Sequence, residues 1–198
     1  MGRIFYVMGK SASGKDTIYK KILERLPRLK TVTLYTTRPI REGEKEGVEY
    51  HFTTAEKLNE FRRGSRLIEE RTYQTVHGPW SYFTVDDGQI DLNGADSYLM
   101  IGTLESYEKT REYFGGEYLV PVYIEVDDGT RLERALLREK MQTEPKYKEL
   151  CRRFLADEED FKEENLKRCG IEKRYRNEVL EECIEEIVRD IGVVEDGE

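Results

Sequence analysis

Residues 9–17 read GKSASGKDT and directly follow the apolar run Ile4–Met8. The apolar run predicts a buried strand, and the spacing of apolar residues behind the loop predicts a helix from about Gly14 to Leu26. The stretch fits the phosphate-loop pattern G-x-x-x-x-G-K as far as Lys15. In such a loop, N–H groups and the positive helix end bind the anion, and the lysine adds a full charge. An ordinary glycine-rich turn is the alternative interpretation.

The residue after the lysine departs from the pattern. Asp16 stands where a serine or threonine hydroxyl usually contacts Mg²⁺. A carboxylate also binds this ion, and Thr17 offers a hydroxyl one position later. The alternative is that Asp16 only favours the helix N-terminus electrostatically. We expect the phosphates of a nucleotide to contact Gly9, Ser11, Ala12, Ser13, Gly14, Lys15, Asp16 and Thr17, with Asp16 and Thr17 as candidate metal ligands.

The composition limits the classes of protein to consider. The chain has 198 residues, 37% of them charged, and a formal net charge of −8. An acidic chain of this length predicts one domain that does not bind nucleic acid. The three cysteines lack the spacing of a zinc site or a disulfide framework, and no apolar run approaches the length of a membrane span. We therefore expect a cytoplasmic protein, either a monomer or a dimer.

Strand-like and helix-like segments alternate along the chain. This order predicts an α/β fold with a central parallel sheet between two helical layers. The core is expected at 1–37, 94–130 and 169–198, with a small mixed-β lobe at 38–93 and a helical lid at 131–168. The predicted strands are Ile4–Met8, Thr31–Thr37, Glu49–Thr53, Arg71–Val76, Trp80–Val85, Tyr98–Ile101 and Val120–Val126, and the predicted helices beyond the first are Ala55–Arg62, Leu104–Tyr113 and Glu178–Ile191.

Three further stretches carry a family resemblance. Residues 36–44 read TTRPIREGE, residues 49–52 read EYHF, and residues 67–69 read LIE. Together with the phosphate loop, they resemble the guanylate kinase family of P-loop nucleoside monophosphate kinases. The resemblance implies transfer of phosphate from ATP to GMP, with Mg²⁺ accompanying ATP.

By this resemblance, Arg38, Arg41 and Tyr50 hold the phosphate of GMP. Two guanidinium groups three residues apart can both bind one monophosphate through charge-assisted hydrogen bonds. A solvated basic loop is the alternative interpretation of the two arginines.

The resemblance also implies a site for the guanine base. Glu69 would accept from N1–H and the exocyclic amino group, a pair of donors that adenine lacks. Tyr82 and Thr84 correspond to the family element Y-G-[ST], with a phenylalanine replacing its glycine. Two assignments stay open, because Glu70 competes with Glu69 and Trp80 competes with Tyr82.

The predicted lid carries basic residues that match the family pattern. Arg134 and Arg138 lie one helical turn apart, and Arg153 lies in the later R-R-x-x-A-x-x-E stretch. The resemblance assigns Arg134 to ATP binding and gives Arg138 and Arg153 a catalytic role beside Lys15, whereas a salt-bridged surface helix is the alternative. Because this chemistry needs no histidine, His77 is expected to be a turn residue.

The chain also lacks some family residues. The L-D-I-D-type strand corresponds to residues 99–102, where Met100 and Gly102 replace both acids. We hypothesise that Asp16 replaces the lost carboxylate for the metal. Two alternatives to GMP phosphorylation stay open: a kinase for another phosphorylated acceptor, which the missing acids favour, and a non-catalytic binding module.

Overall fold

The computed structural model describes residues 1–75 and 78–196. The expected turn at His77 lies outside the described residues. In chain order, the elements are β1 (Ile4–Met8), α1 (Lys15–Arg25), β2 (Lys30–Thr31), β3 (Tyr35–Thr36), β4 (His51–Phe52), α2 (Ala55–Arg63), β5 (Leu67–Thr75), β6 (Gly78–Val85), β7 (Tyr98–Ile101), α3 (Leu104–Phe114), β8 (Leu119–Glu125), α4 (Asp128–Lys140), α5 (Tyr147–Asp160), α6 (Glu163–Arg168), β9 (Tyr175–Arg176) and α7 (Leu180–Asp196).

The central sheet is parallel and buried on both faces. Its strand order is β2-β7-β1-β8-β9. Alternate residues of β1 point to opposite faces, so Phe5 and Val7 pack with α1 and α7, whereas Tyr6 packs with Tyr107 of α3. All five residues of β1 are buried, as expected for a strand covered by helices on both sides. The predicted three-layer α/β fold is confirmed.

One predicted strand is divided between two sheets. The run Thr31–Thr37 forms β2 in the central sheet and β3 in a second sheet. Between them, the side chain of Gln89 accepts from the N–H of Thr33 at 2.8 Å and donates to its carbonyl at 3.2 Å. These backbone groups are thus satisfied outside any strand ladder, which lets the chain cross from one sheet to the other.

The second sheet has the order β4-β3-β6-β5 and packs against α2. Phe83, which replaces the glycine of the family element, is fully buried and stacks on Tyr35 with ring centroids 5.5 Å apart. In the hairpin of β5 and β6, Glu69 pairs with Thr84 and Tyr73 with Trp80. The bulky residue at 83 therefore contributes to the core of this small lobe.

The C-terminal third is helical, as predicted, but it is interrupted. Helices α4, α5 and α6 are separate, and the short strand β9, which the sequence analysis missed, precedes α7. Helix α7 begins two residues later than predicted and continues to Asp196. Within residues 1–75 and 78–196, no helix has the length and apolarity required to cross a membrane.

Candidate functional site

The phosphate loop connects the carboxyl end of β1 to α1. Gly14 has φ 87° at the helix N-cap, and a Cβ there would lie 2.6 Å from Nδ2 of Asn177. That Asn177 amide donates to the carbonyl of Ser13 at 2.8 Å. A Cβ on Gly9 would lie 2.7 Å from the carbonyl oxygen of Ile124. Gly14 is thus required by its positive φ and by the Asn177 side chain, and Gly9 by its close approach to the backbone of Ile124.

The predicted donor residues lie at the mouth of a large cleft. Lys15 and Asp16 both line this cleft of about 800 Å³, whereas Thr17 is exposed and lies outside its lining. Nζ of Lys15 lies 3.5 Å from Oδ2 of Asp16, whose side chain is 80% exposed. The exposed carboxylate of Asp16 can therefore bind a solvated cation, and a carboxylate is an oxygen ligand that suits Mg²⁺. Among the described residues, no group of three or more His, Cys, Asp or Glu side chains could hold a metal.

The opposite wall of the large cleft belongs to the small lobe and is largely aromatic. Tyr50, Tyr73, Trp80 and Tyr82 all line it. The rings of Tyr50 and Tyr82 contact edge to face, with centroids 5.5 Å apart. The structure therefore brings Tyr50 and Tyr82 together with Lys15. Trp80, the alternative to Tyr82 in the sequence analysis, lies on the same wall of the cleft.

The predicted phosphate-binding arginines surround an acid of the same loop. Arg38 is 3% exposed and donates to both carboxylate oxygens of Glu44, at 2.8 and 2.9 Å. The backbone N–H of Arg41 donates to the same carboxylate at 2.8 Å, while its side chain is exposed. The hydrogen bonds from Arg38, and next from the Arg41 backbone, lower the pKa of Glu44. An arriving phosphate must therefore share Arg38 with Glu44 or displace it.

The guanine-reading candidates are buried behind another side chain. Glu69 has a side chain with 0% exposure, and it accepts from Oγ1 of Thr84 at 2.8 Å and from Nε of Arg71 at 3.1 Å. Arg71 lines the large cleft, and Glu69 does not. Glu70, the alternative, binds Nε of Arg62 at 2.9 Å. The structure thus brings Glu69 and Thr84 together, but the carboxylate does not line the cleft.

Helices α4 and α5 dock on the phosphate loop through a buried arginine. Arg131 is 1% exposed, stacks on Phe154, and donates to the Ser11 carbonyl at 3.2 Å. Its guanidinium also pairs with Asp128, Asp157 and Glu158. Oδ2 of Asp157 accepts from the N–H of Ser11 at 2.8 Å. The lid segment is thus bonded to both backbone groups of one loop residue.

The three predicted lid arginines lie around the same loop. Arg138 and Arg153 line a narrow gap that also contacts Ser11. Arg153 lies 3.6 Å from a carboxylate oxygen of Glu139. Nη2 of Arg134 donates to the carbonyl of Asn177 at 3.2 Å, which ties α4 to the residue that supports Ser13. Arg134, Arg138 and Arg153 therefore all lie close to the phosphate loop.

The missing strand acids have a packing explanation. Met100 is 3% exposed and belongs to the core cluster on the α3 face. A Cβ on Gly102 would overlap the hydroxyl of Tyr6 and lie 2.5 Å from Oγ of Ser106. These two hydroxyls are hydrogen-bonded at 2.8 Å, so they fill the space that an acid at 102 would need.

Gly102→Asp is therefore expected to destabilise the fold by about 2–4 kcal/mol, because it adds a clash and a poorly solvated charge. Urea unfolding measures the change. In a double-mutant cycle, Tyr6→Phe should recover part of the loss by removing one clashing hydroxyl. An unchanged urea midpoint for Gly102→Asp would contradict this explanation.

Several site residues were missed by the sequence analysis. Arg71, Arg131 and Asp157 do not stand at a defining position of any of the family motifs. For Arg71 a signal existed, because residues two apart on a strand share a face and Glu69 was already a candidate.

Comparisons with known proteins agree on one family. The sequence model described as "Guanylate kinase" matches residues 1–81. A guanylate kinase from Chlorobium luteolum is 38% identical over 77 residues, which cover 39% of each chain. One from Helicobacter hepaticus is 28% identical over 140 residues, covering 71% of this chain and 66% of the relative. One from Fusobacterium nucleatum is 28% identical over 207 residues, covering 100% and 98%.

The chain therefore spans less than two thirds of the length of the first two relatives and nearly all of the third. A solved structure gives the same picture for the fold. The crystal structure of guanylate kinase from Anaplasma phagocytophilum matches with a TM-score of 0.64 at 19% identity, covering 98% of this chain and 86% of that one.

Proposed function

We propose that this chain is a member of the guanylate kinase family and that it transfers the γ-phosphoryl group of ATP to GMP, giving ADP and GDP. Its sequence is similar to that of guanylate kinases, and its fold is similar to that of a solved guanylate kinase. The observation that supports this most directly is the shared cleft. The loop lysine, Lys15, and the lobe tyrosines Tyr50 and Tyr82 face one space of about 800 Å³. A donor on the loop and an acceptor on the lobe would meet there, and such positioning supplies much of phosphoryl-transfer catalysis.

On the donor side, Lys15 and the amides of the loop bind the β- and γ-phosphates. Arg134 and Asn177 lie where the loop meets β9, and we assign Arg134 to the nucleoside part of ATP. Mg²⁺ is the metal that the family implies, and Asp16 is the residue that would hold it. When bound, the ion neutralises negative charge on the donor phosphates.

On the acceptor side, Arg38, Arg41 and Tyr50 bind the phosphate of GMP. Arg38 is already desolvated and oriented by Glu44, so little side-chain freedom remains to be lost when the phosphate arrives. Its buried Nε finds no acceptor among the described residues. The acceptor phosphate is itself anionic, so the reaction requires no general base.

The transition state spreads negative charge over the transferring group, and cations that approach at that stage lower the barrier. We assign this role to Arg138 and Arg153, which lie beside Ser11 of the loop. The core, the lobe at 38–93 and the lid at 131–168 are the parts that would close on the two nucleotides and exclude water.

Three free cysteines support a reducing, cytoplasmic location.

A coupled assay of ADP release tests the proposal. The purified protein is supplied with ATP, Mg²⁺ and, separately, GMP, dGMP, AMP, CMP and UMP, with a no-acceptor reaction as background. We expect GMP to give the highest kcat/KM and the background hydrolysis to be small. Equal, background-level ADP release with every nucleotide would overturn the proposal.

One observation favours a second candidate function. The strand acids of the family are absent at Met100 and Gly102, so the acceptor need not be a nucleotide. Adding ribose phosphates to the same panel tests a kinase for another phosphorylated acceptor. Turnover of a ribose phosphate above that of GMP would support this candidate instead.

A further inference from the structure

We propose that Arg71, rather than Glu69, contacts the base of the acceptor nucleotide, and that it selects 6-oxopurines through their O6 and N7 atoms. This inference rests on the proposed function, since it concerns the acceptor of that reaction. In it, Glu69 is a positioning residue that holds the guanidinium in place.

Arg71 is more exposed to the large cleft than Glu69 is. The Glu69 side chain is 0% exposed and the Arg71 side chain is 16% exposed. Oε1 of Glu69 already accepts from Thr84, and Oε2 accepts from Arg71. The carboxylate has further lone pairs, but Arg71 would have to move before a ligand in the cleft could reach them. Arg71 needs no such rearrangement, because it already lines the large cleft.

The N–H donors of Arg71 match the acceptors of guanine. Glu69 occupies Nε and, at 3.4 Å, Nη2 of Arg71. Within residues 1–75 and 78–196, the Arg71 side chain has no other hydrogen-bond acceptor, and it lines the cleft. Guanine presents O6 and N7 as adjacent acceptors, and the planar guanidinium matches that pair. Adenine presents an amino group in place of O6, so a donor would face a donor and binding would weaken.

The charge and the shape of the wall around Arg71 also suit a purine base. The carboxylate of Glu69 balances the charge of Arg71 at 3.1 Å, so the pair favours a neutral polar ligand over a second phosphate. Tyr73, Trp80 and Tyr82 line the same wall, and aromatic rings provide surfaces for a planar base. The environment of Arg71 therefore suits a purine base.

The inference separates GMP from IMP in a measurable way. Both have O6 and N7, and they differ only in the exocyclic amino group at C2. A carboxylate reader depends on that amino group, whereas the guanidinium does not. We expect kcat/KM for IMP to lie within about tenfold of that for GMP, and that for AMP to be at least about 100-fold lower.

The experiment compares kcat/KM for GMP, IMP, AMP and 7-deaza-GMP, which lacks N7. The proteins are the unaltered chain, Arg71→Met, Glu69→Gln and the control Arg62→Met, which breaks another Arg–Glu pair of the lobe. We expect 7-deaza-GMP to be about 5- to 100-fold poorer than GMP with the unaltered chain. Arg71→Met should lower kcat/KM for GMP and IMP alike by about 10- to 100-fold and remove the preference over AMP, while KM for ATP stays constant. The control should behave as the unaltered chain.

The outcomes distinguish the inference from the proposed function. If no monophosphate is turned over by the unaltered chain, the proposed function fails and the inference fails with it. If GMP is turned over but IMP is rejected by more than about 100-fold, or if Arg71→Met still prefers GMP to AMP, the inference is overturned while the function stands. Should Arg71→Met not fold, the IMP and 7-deaza-GMP results with the unaltered chain decide the matter.

Discussion

Lys15→Ala is expected to lower kcat for phosphoryl transfer by about 10³-fold or more, because it removes a positive charge that faces the donor phosphates in a site sheltered from water. The fold should tolerate the change. The side chain of Lys15 is 25% exposed, and its ion pair is a 3.5 Å contact with Asp16. The coupled ADP-release assay measures kcat, and urea unfolding measures stability.

Lys20→Ala is the matched control, since Lys20 is an exposed lysine of the same helix. It should change neither kcat nor the urea midpoint appreciably. A Lys15→Ala protein that keeps more than about a tenth of the original kcat would argue against the assigned role, because a loop lysine in contact with the donor phosphates contributes far more than that.

Arg131→Met is expected to destabilise the protein by about 2–3 kcal/mol, because it removes a buried guanidinium that donates charge-assisted hydrogen bonds to neighbouring carboxylates and a hydrogen bond to the Ser11 carbonyl. Asp128, Asp157 and Glu158 all pair with this guanidinium beside Ser11. Without the guanidinium, their negative charge would act on the phosphate loop. We therefore also expect KM for ATP to rise by about tenfold or more, since each 1.4 kcal/mol of lost binding is a factor of ten.

Arg152→Met serves as the control for this change. Arg152 lies on α5 and its side chain is 63% exposed, paired with Glu149, so its loss should alter stability by less than about 1 kcal/mol. Urea unfolding and the ATP dependence of turnover are measured for both variants. Equal midpoints for the two variants would show that the Arg131 cluster does not hold the lid segment to the loop.

The elements that the sequence analysis predicted well are those with long apolar patterns. Strand β1, helix α1 and strand β7 lie where they were expected, because a buried strand or an amphipathic helix leaves a periodic signal over many residues. Strands β2, β3 and β9 have two residues each. Such short strands carry no periodicity, so their sheet membership depends on tertiary partners such as Gln89.

For the candidate site, the motifs identified the residues of the loop and of the lobe. They did not predict which charged side chains pair with one another. Arg131 and Ser11 are 120 residues apart, and Asn177 and Ser13 are 164 apart. No local pattern indicates which of several carboxylates reaches a given arginine. Glu69 is an example: a motif identified this acid, but it did not show that Arg71 separates the carboxylate from the cleft.

The brevity of β2 and β9 has a further consequence for behaviour at high concentration. These two strands form the outer borders of the central sheet, and each offers two residues for pairing with a foreign strand. Both carry a basic side chain, Lys30 or Arg176. Short, charged edge strands discourage edge-to-edge pairing between molecules. The borders of the central sheet are thus poor templates for a foreign strand, although every residue of its strand β1 is buried.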